Sequence, residues 1–129
     1  RVAGLGIFMD TGNCCVVGER PVEACRLAAP YTVGTHFKDH KVWPKLREGL
    51  AFMVTGAALG DGHVGLEAIY ADLLRLHPDP ASILMEVELI PDREIGALES
   101  LQRTKDFIAR VSGREFDPPR TITTGEVPS

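Results

Sequence analysis

Apolar residues fall along the chain in two kinds of block. Short strand-like runs at 5–9, 31–37 and 83–89, the first apolar and the second rich in β-branched and aromatic side chains, predict strands. Between and after them, apolar residues recur every three or four positions and predict helices. Val22, Cys25 and Ala28/Ala29 mark the first helix. Leu66, Ile69, Tyr70, Leu73 and Leu76 mark the second, and Ala97, Leu98, Leu101, Phe107, Ile108 and Val111 the third. Turn-formers punctuate these blocks: Asp10-Thr11-Gly12-Asn13, Gly60-Asp61-Gly62-His63, His77-Pro78-Asp79-Pro80 and Pro91-Asp92. Pro21 suits a first helical position, where its missing N–H costs nothing, and Pro30 stops that helix. Residues 38–49 are polar, hold the only Trp, and read as a long loop with room for a helical turn. Residues 50–59 are apolar and small.

The order strand–helix–strand–helix–strand–helix predicts an α/β fold with parallel strands joined by crossover helices. Three strands make a thin core with two open edges. One domain is expected over residues 1–112, followed by a polar, Pro-containing tail over 113–129.

Composition narrows the function. The chain has 129 residues, 44% hydrophobic and 25% charged, as in globular proteins. Its 14 Lys+Arg against 18 Asp+Glu leave a net charge of −4, which argues against general nucleic-acid binding. No apolar run reaches the ~18 residues of a membrane helix, and no secretory signal is visible. Three cysteines, two of them adjacent, suit a reduced, cytoplasmic chain. The start at Arg1, directly before a strand and without Met, suggests a piece of a longer protein.

Each strand run ends in residues that can bind a metal. Asp10 follows the first, His36 lies near the end of the second, and Glu86 and Glu88 near the end of the third. Carboxyl ends of parallel strands share one side of the sheet, where α/β active sites form. Carboxylates with one imidazole suit Mn²⁺, Mg²⁺ or Co²⁺, and also Zn²⁺. Each residue has an ordinary structural role too: Asp10 as a turn residue and His36 as a hydrogen-bonded core histidine. Glu86, between Met85 and Val87, is costly to bury unless paired or metal-bound. Glu86 and Glu88 share a strand face, so periodicity does not choose between them.

D-T-G-N at 10–13, H-F-K-D at 36–39, L-G-D-G at 59–62 and M-E-V-E at 85–88, in this order and spacing, cover nearly the whole chain to about Val111. In them the chain resembles the C-terminal part of the xylose-isomerase-like barrel superfamily, which includes sugar-phosphate isomerases/epimerases and ketose 3-epimerases. Within it, the chain is most similar to members with D-T-G-N rather than a His at the fourth position. The resemblance implies strands six to eight, with their helices, of a (β/α)₈ TIM barrel. It implies Asp10, His36 and Glu86 as metal ligands, with Glu86 also the catalytic acid/base. Glu86 is preferred to Glu88 because the family's ligand comes first in E-x-E. Asn13, Lys38 and Asp39 are implied as substrate contacts, Asp39 alternatively orienting His36 or the loop. Gly60 and Gly62 would serve the turn, and His63 would be a surface histidine.

A (β/α)₈ barrel takes about 250 residues. The family's fourth ligand and partner acid/base, a glutamate from strand five, would lie upstream of Arg1. The expected activity of the full-length protein is therefore metal-dependent isomerisation or epimerisation of a sugar or sugar-acid derivative, by proton transfer next to a carbonyl. The alternatives are a decarboxylase or lyase on the same barrel, or a non-catalytic half-barrel. The expected partners are the substrate and either the missing N-terminal half or a second copy of the chain. Apurinic endonucleases share this barrel, but their His-rich zinc cluster and basic face fit this acidic chain, with four His, poorly. A cysteine nucleophile at Cys14 or Cys15 competes with plain packing beside Val16 and Val17.

Overall fold

The computed structural model describes residues 4–44 and 52–114. Strand β1 (Ile7–Asp10) leads through a four-residue helix α1 (Asn13–Val16) to α2 (Pro21–Ala28). A 3₁₀ turn (Ala29–Tyr31) then delivers the chain to β2 (Thr32–Phe37). After Lys38 come β3 (Asp39–Pro44), β4 (Phe52–Ala57), α3 (Leu66–Leu76), a second 3₁₀ turn (Pro80–Ser82), β5 (Leu84–Val87) and α4 (Gly96–Ser112). Pro21 stands at the start of α2, and Pro30 forces the tighter turn that ends it.

Strands β1, β2 and β5 form a parallel sheet in the order β1-β2-β5, so the alternating order of elements does give parallel pairing. The fold is thus mixed α/β, a small parallel sheet with helices. The register sets two kinds of row across it. Met9, Thr35 and Met85 lie side by side, and so do Phe37 and Val87. The face carrying them meets the helices. Met9 and Phe37 join Cys25 of α2, Leu66, Ile69 and Leu73 of α3, and Phe107 of α4 in one buried cluster, with Met85 and Val87 packed against it. Phe8, Gly34 and Leu84 form a row on the opposite face, where Phe8 stays 47% and Leu84 62% exposed.

Two expectations need correction. Within the stretch read as a loop, residues 39–44 form β3, which pairs antiparallel with β4 from Asp39↔Ala57 to Pro44↔Phe52. Residues 45–49 of that stretch lie outside the described residues, as do 115–129 of the expected tail. Trp43 clips the ribbon, its Nε1–H donating to Thr55 Oγ1 at 2.8 Å. The stripe of α4 is also different. Leu98 and Leu101 face solvent, and the buried row is Ser100, Thr104 and Phe107. The hydroxyls explain this, because each accepts a hydrogen bond from the backbone of a loop packed against the helix. Thr104 Oγ1 accepts from the Leu59 N–H at 3.1 Å, and Ser100 Oγ accepts from the Asp92 N–H at 3.0 Å. Among the described residues no helix is long and apolar enough to cross a membrane.

Candidate metal centre

Parallel pairing brings together residues 26 and 50 positions apart in sequence. Asp10 lies beside His36 and His36 beside Glu86, in register on adjacent strands, at the carboxyl ends of all three. Residues in register point to the same face, here the face the helices leave open. His36 stands between two acids, its Nδ1 3.7 Å from Asp10 Oδ2 and its Nε2 3.9 Å from Glu86 Oε2. The Phe8 ring meets the imidazole edge-on at 4.9 Å between centroids.

The turn after β1 aims Asp10. Its Oδ1 accepts from the N–H groups of Gly12 at 3.0 Å and Asn13 at 2.9 Å, an Asx-type turn. Oδ2 is left to face His36 and Lys38. Thr11, fully buried, locks the same turn to the end of β2. Its Oγ1 accepts from the Lys38 N–H at 2.9 Å and donates to the Lys38 carbonyl at 2.8 Å, and its N–H donates to the His36 carbonyl at 3.2 Å. The sequence marks Thr11 only as one member of a turn, so this clamp went unpredicted.

Lys38 holds the acids together from the other side. Its Nζ is 2.8 Å from Asp10 Oδ2 and 2.9 Å from Glu88 Oε2, and only 9% of the side chain is exposed. Burial works against the ammonium charge, but bonds to Asp10 and Glu88 outweigh it and raise the Lys38 pKa. Among the described residues, the ligand-type groups that gather within 4.8 Å of one another are Asp10, His36 and Glu88, all half-buried. Glu86, preferred from E-x-E, is more exposed and approaches His36 alone among the ion pairs of the site. The strand offers both glutamates to the same face, and the geometry joins Glu88 to Asp10. Two carboxylates and an imidazole converging this way suit a hard or borderline divalent cation.

Asn13 is exposed at the start of α1, beside Asp10. Asp39 lies elsewhere. It is 1% exposed, and backbone N–H groups occupy both its oxygens: His40 (2.9 Å) and Val64 (3.2 Å) on Oδ1, Gly60 (2.9 Å) and Gly62 (3.1 Å) on Oδ2. Of the roles weighed for it, the loop is the one this geometry serves, and its carboxylate has no lobe left for a substrate. Gly60 has φ +89°, which a side chain rarely adopts, and a Cβ on Gly62 would strike Asp39 Oδ1. His63 is exposed as expected, yet its Nδ1 accepts from the Val42 N–H at 2.9 Å and so pins the ribbon to this loop.

The cysteines do not form a reactive site. Cys15 and Cys25 are buried in the core cluster. Desolvation raises all three thiol pKa values, that of Cys25 to about 12, so none is poised as a thiolate. Compared with family models and with curated proteins, the chain finds no match in either.

Proposed function

We propose that the chain contributes the metal-binding strands of a xylose-isomerase-like (β/α)₈ barrel, and that the complete barrel isomerises or epimerises a sugar or sugar-acid derivative. One observation carries this reading: Asp10, His36 and Glu86 stand in register at the carboxyl ends of three adjacent parallel strands, on the face free of helices. Asp10, His36 and a glutamate, Glu86 or Glu88, would hold a divalent cation such as Mn²⁺, Mg²⁺ or Co²⁺. Bound there, the cation supplies polarisation of a substrate carbonyl, which acidifies the neighbouring C–H.

The chain's own groups divide the remaining work. Glu86 is exposed on the open face and can take or return the proton at carbon. Asn13 can hydrogen-bond a hydroxyl or carbonyl but cannot carry a proton. Lys38 carries the positive charge for a carboxylate, phosphate or enediolate oxygen. The second acid/base, on the opposite face of the substrate, belongs to the strands that would complete the barrel. The test is a Mn²⁺ titration of the chain and its Asp10→Ala variant, followed by free-Mn²⁺ electron paramagnetic resonance. Asp10→Ala should weaken binding at least tenfold. Equal binding by the two proteins sinks the assignment. Release of CO₂ from a panel of 3-oxo acids by the complete protein would point instead to decarboxylation on the same barrel.

A second reading, association without catalysis, is favoured by the exposed row of Phe8 and Leu84 and by the outer edges of β1 and β5, which pair with no other strand among the described residues. A second copy of the chain could cover this face.

A further inference from the structure

Lys38 sits where it conflicts with the cation proposed above. Asp10 has committed Oδ1 to two backbone N–H groups, so Oδ2 is the oxygen free to face a metal beside His36. That same Oδ2 is bonded to Lys38 Nζ at 2.8 Å, and the ammonium also binds Glu88 Oε2 at 2.9 Å. Two of the three groups that gather within 4.8 Å are thus already paired with one cation belonging to the chain, which offsets one of their two negative charges. An ammonium and a divalent ion sharing one carboxylate oxygen repel strongly where burial weakens screening.

We propose that Lys38 is a resident counter-cation that a divalent metal must displace, so that Asp10 and Glu88 alternate between the ammonium and the metal. The inference rests on the metal-site reading and adds how that site is regulated. The local structure suits an exchange of this kind. Thr11 fixes the Lys38 backbone through both its N–H and its carbonyl, so the four-carbon stem alone has to swing. Glu88 is 43% exposed and leaves the ammonium a way out to water. With its charge retained, the displaced lysine stays beside the centre, ready for an anionic group of a bound molecule. Without a metal, the lysine spares the clustered carboxylates their mutual repulsion.

The test pairs two variants with a measurement on the unaltered chain, using Mn²⁺ or Mg²⁺ alone as the probe. Lys38→Met keeps the length of the stem and removes the charge, and should bind Mn²⁺ at least tenfold more tightly than the wild type. Lys38→Arg keeps the charge and should show no such gain. In the wild type labelled with ¹⁵N-lysine, the Lys38 ammonium resonance should shift on saturation with diamagnetic Mg²⁺. Binding by Lys38→Met alone would support the displacement in its strongest form. Equal or weaker binding by Lys38→Met, or a Lys38 resonance unmoved while the wild type binds Mg²⁺, overturns it and leaves the metal site standing. Binding by neither protein overturns the metal site and the displacement together. Should Lys38→Met fail to fold, the resonance of the wild type decides.

Discussion

Asp39 accepts four backbone hydrogen bonds with a single carboxylate, and residues 60–65 are organised around it. Hydrogen bonds to a charged group contribute roughly 1.5–3 kcal/mol each, and a buried N–H left without a partner costs about as much. Asp39→Ala is therefore expected to destabilise the chain by about 3 kcal/mol or more, read from the urea midpoint. Asp39→Asn, with one acceptor oxygen in place of two, should fall between. A change within about 0.5 kcal/mol, as at an ordinary surface position, would mean the loop does not depend on Asp39. The resemblance allowed Asp39 a part in orienting the loop, but no pattern in the sequence announces four backbone partners. His-x-Lys-Asp suggests chemistry, and the partners of Asp39 come from up to 25 positions downstream, marked only by the glycines around Asp61. Asp10 was more legible, because an acid directly before Thr-Gly-Asn announces its own turn and the carboxyl end of a strand.

At the scale of elements, Asp72 joins two helices. It is buried on α3 and binds Arg75 of its own helix at 2.6 Å and Arg26 of α2 at 2.7 Å. Arg75 first, then Arg26, holds the Asp72 pKa below the ordinary value of 3.8. A carboxylate whose pKa is lower in the folded chain than in the unfolded one binds fewer protons there, so it adds stability above the unfolded value. That contribution is fully present above pH 3.8 and is lost as pH falls through the lower folded value. Wild type should lose part of its urea resistance between neutral pH and pH about 3, a range set by ordinary carboxylate titration. Asp72→Asn should be weaker at neutral pH and depend less on pH across that range. Parallel pH curves for the two proteins would remove Asp72 from this role. Helices α2 and α3 were legible because their apolar spacing and proline boundaries agree, whereas in α4 only Phe107, Ile108 and Val111 of the expected stripe pack inward. The β3–β4 ribbon was not. Asp39, His40 and Lys41 break the alternation a strand usually shows, and residues 52–57 form an apolar run that periodicity alone does not assign. Helix α1, at four residues, is too short to carry a period.

At the scale of the whole molecule, the described helices cover one face of the sheet and leave the other exposed among the described residues. Phe8 and Leu84 lie in one row of the bare face, and Ile7 and Leu5 are also exposed. Parallel sheets are normally covered on both faces. Replacing Phe8 and Leu84 together with Ser should lower thermal stability only modestly, chiefly through loss of the edge contact between Phe8 and His36, since Leu84 is 62% exposed. The same double substitution should lower any concentration-dependent association seen by sedimentation velocity. Association that persists undiminished would place the contact elsewhere, the exposed Leu98 and Leu101 side of α4 being the next surface to vary. The parallel arrangement itself was legible from the order of elements, because a crossover helix between neighbouring strands permits little else.

The row that gathers the candidate ligands also governs how quickly the chain can reach its native state. β2 and β5 pair through residues 50 positions apart, from Gly34–Leu84 to Phe37–Val87, with Lys38–Glu88 just beyond them, and the ribbon and α3 lie between the two strands in sequence. Closing so long a loop costs entropy before any contact repays it, and folding slows as the average separation of contacting residues grows. Helices α2, α3 and α4 can form from local contacts, while the third strand must wait for the chain to find its far end. Pairing of β5 is therefore expected to come late: Asp10 and His36 meet through β1 and β2 alone, and Glu86 and Glu88 join them only when β5 has paired.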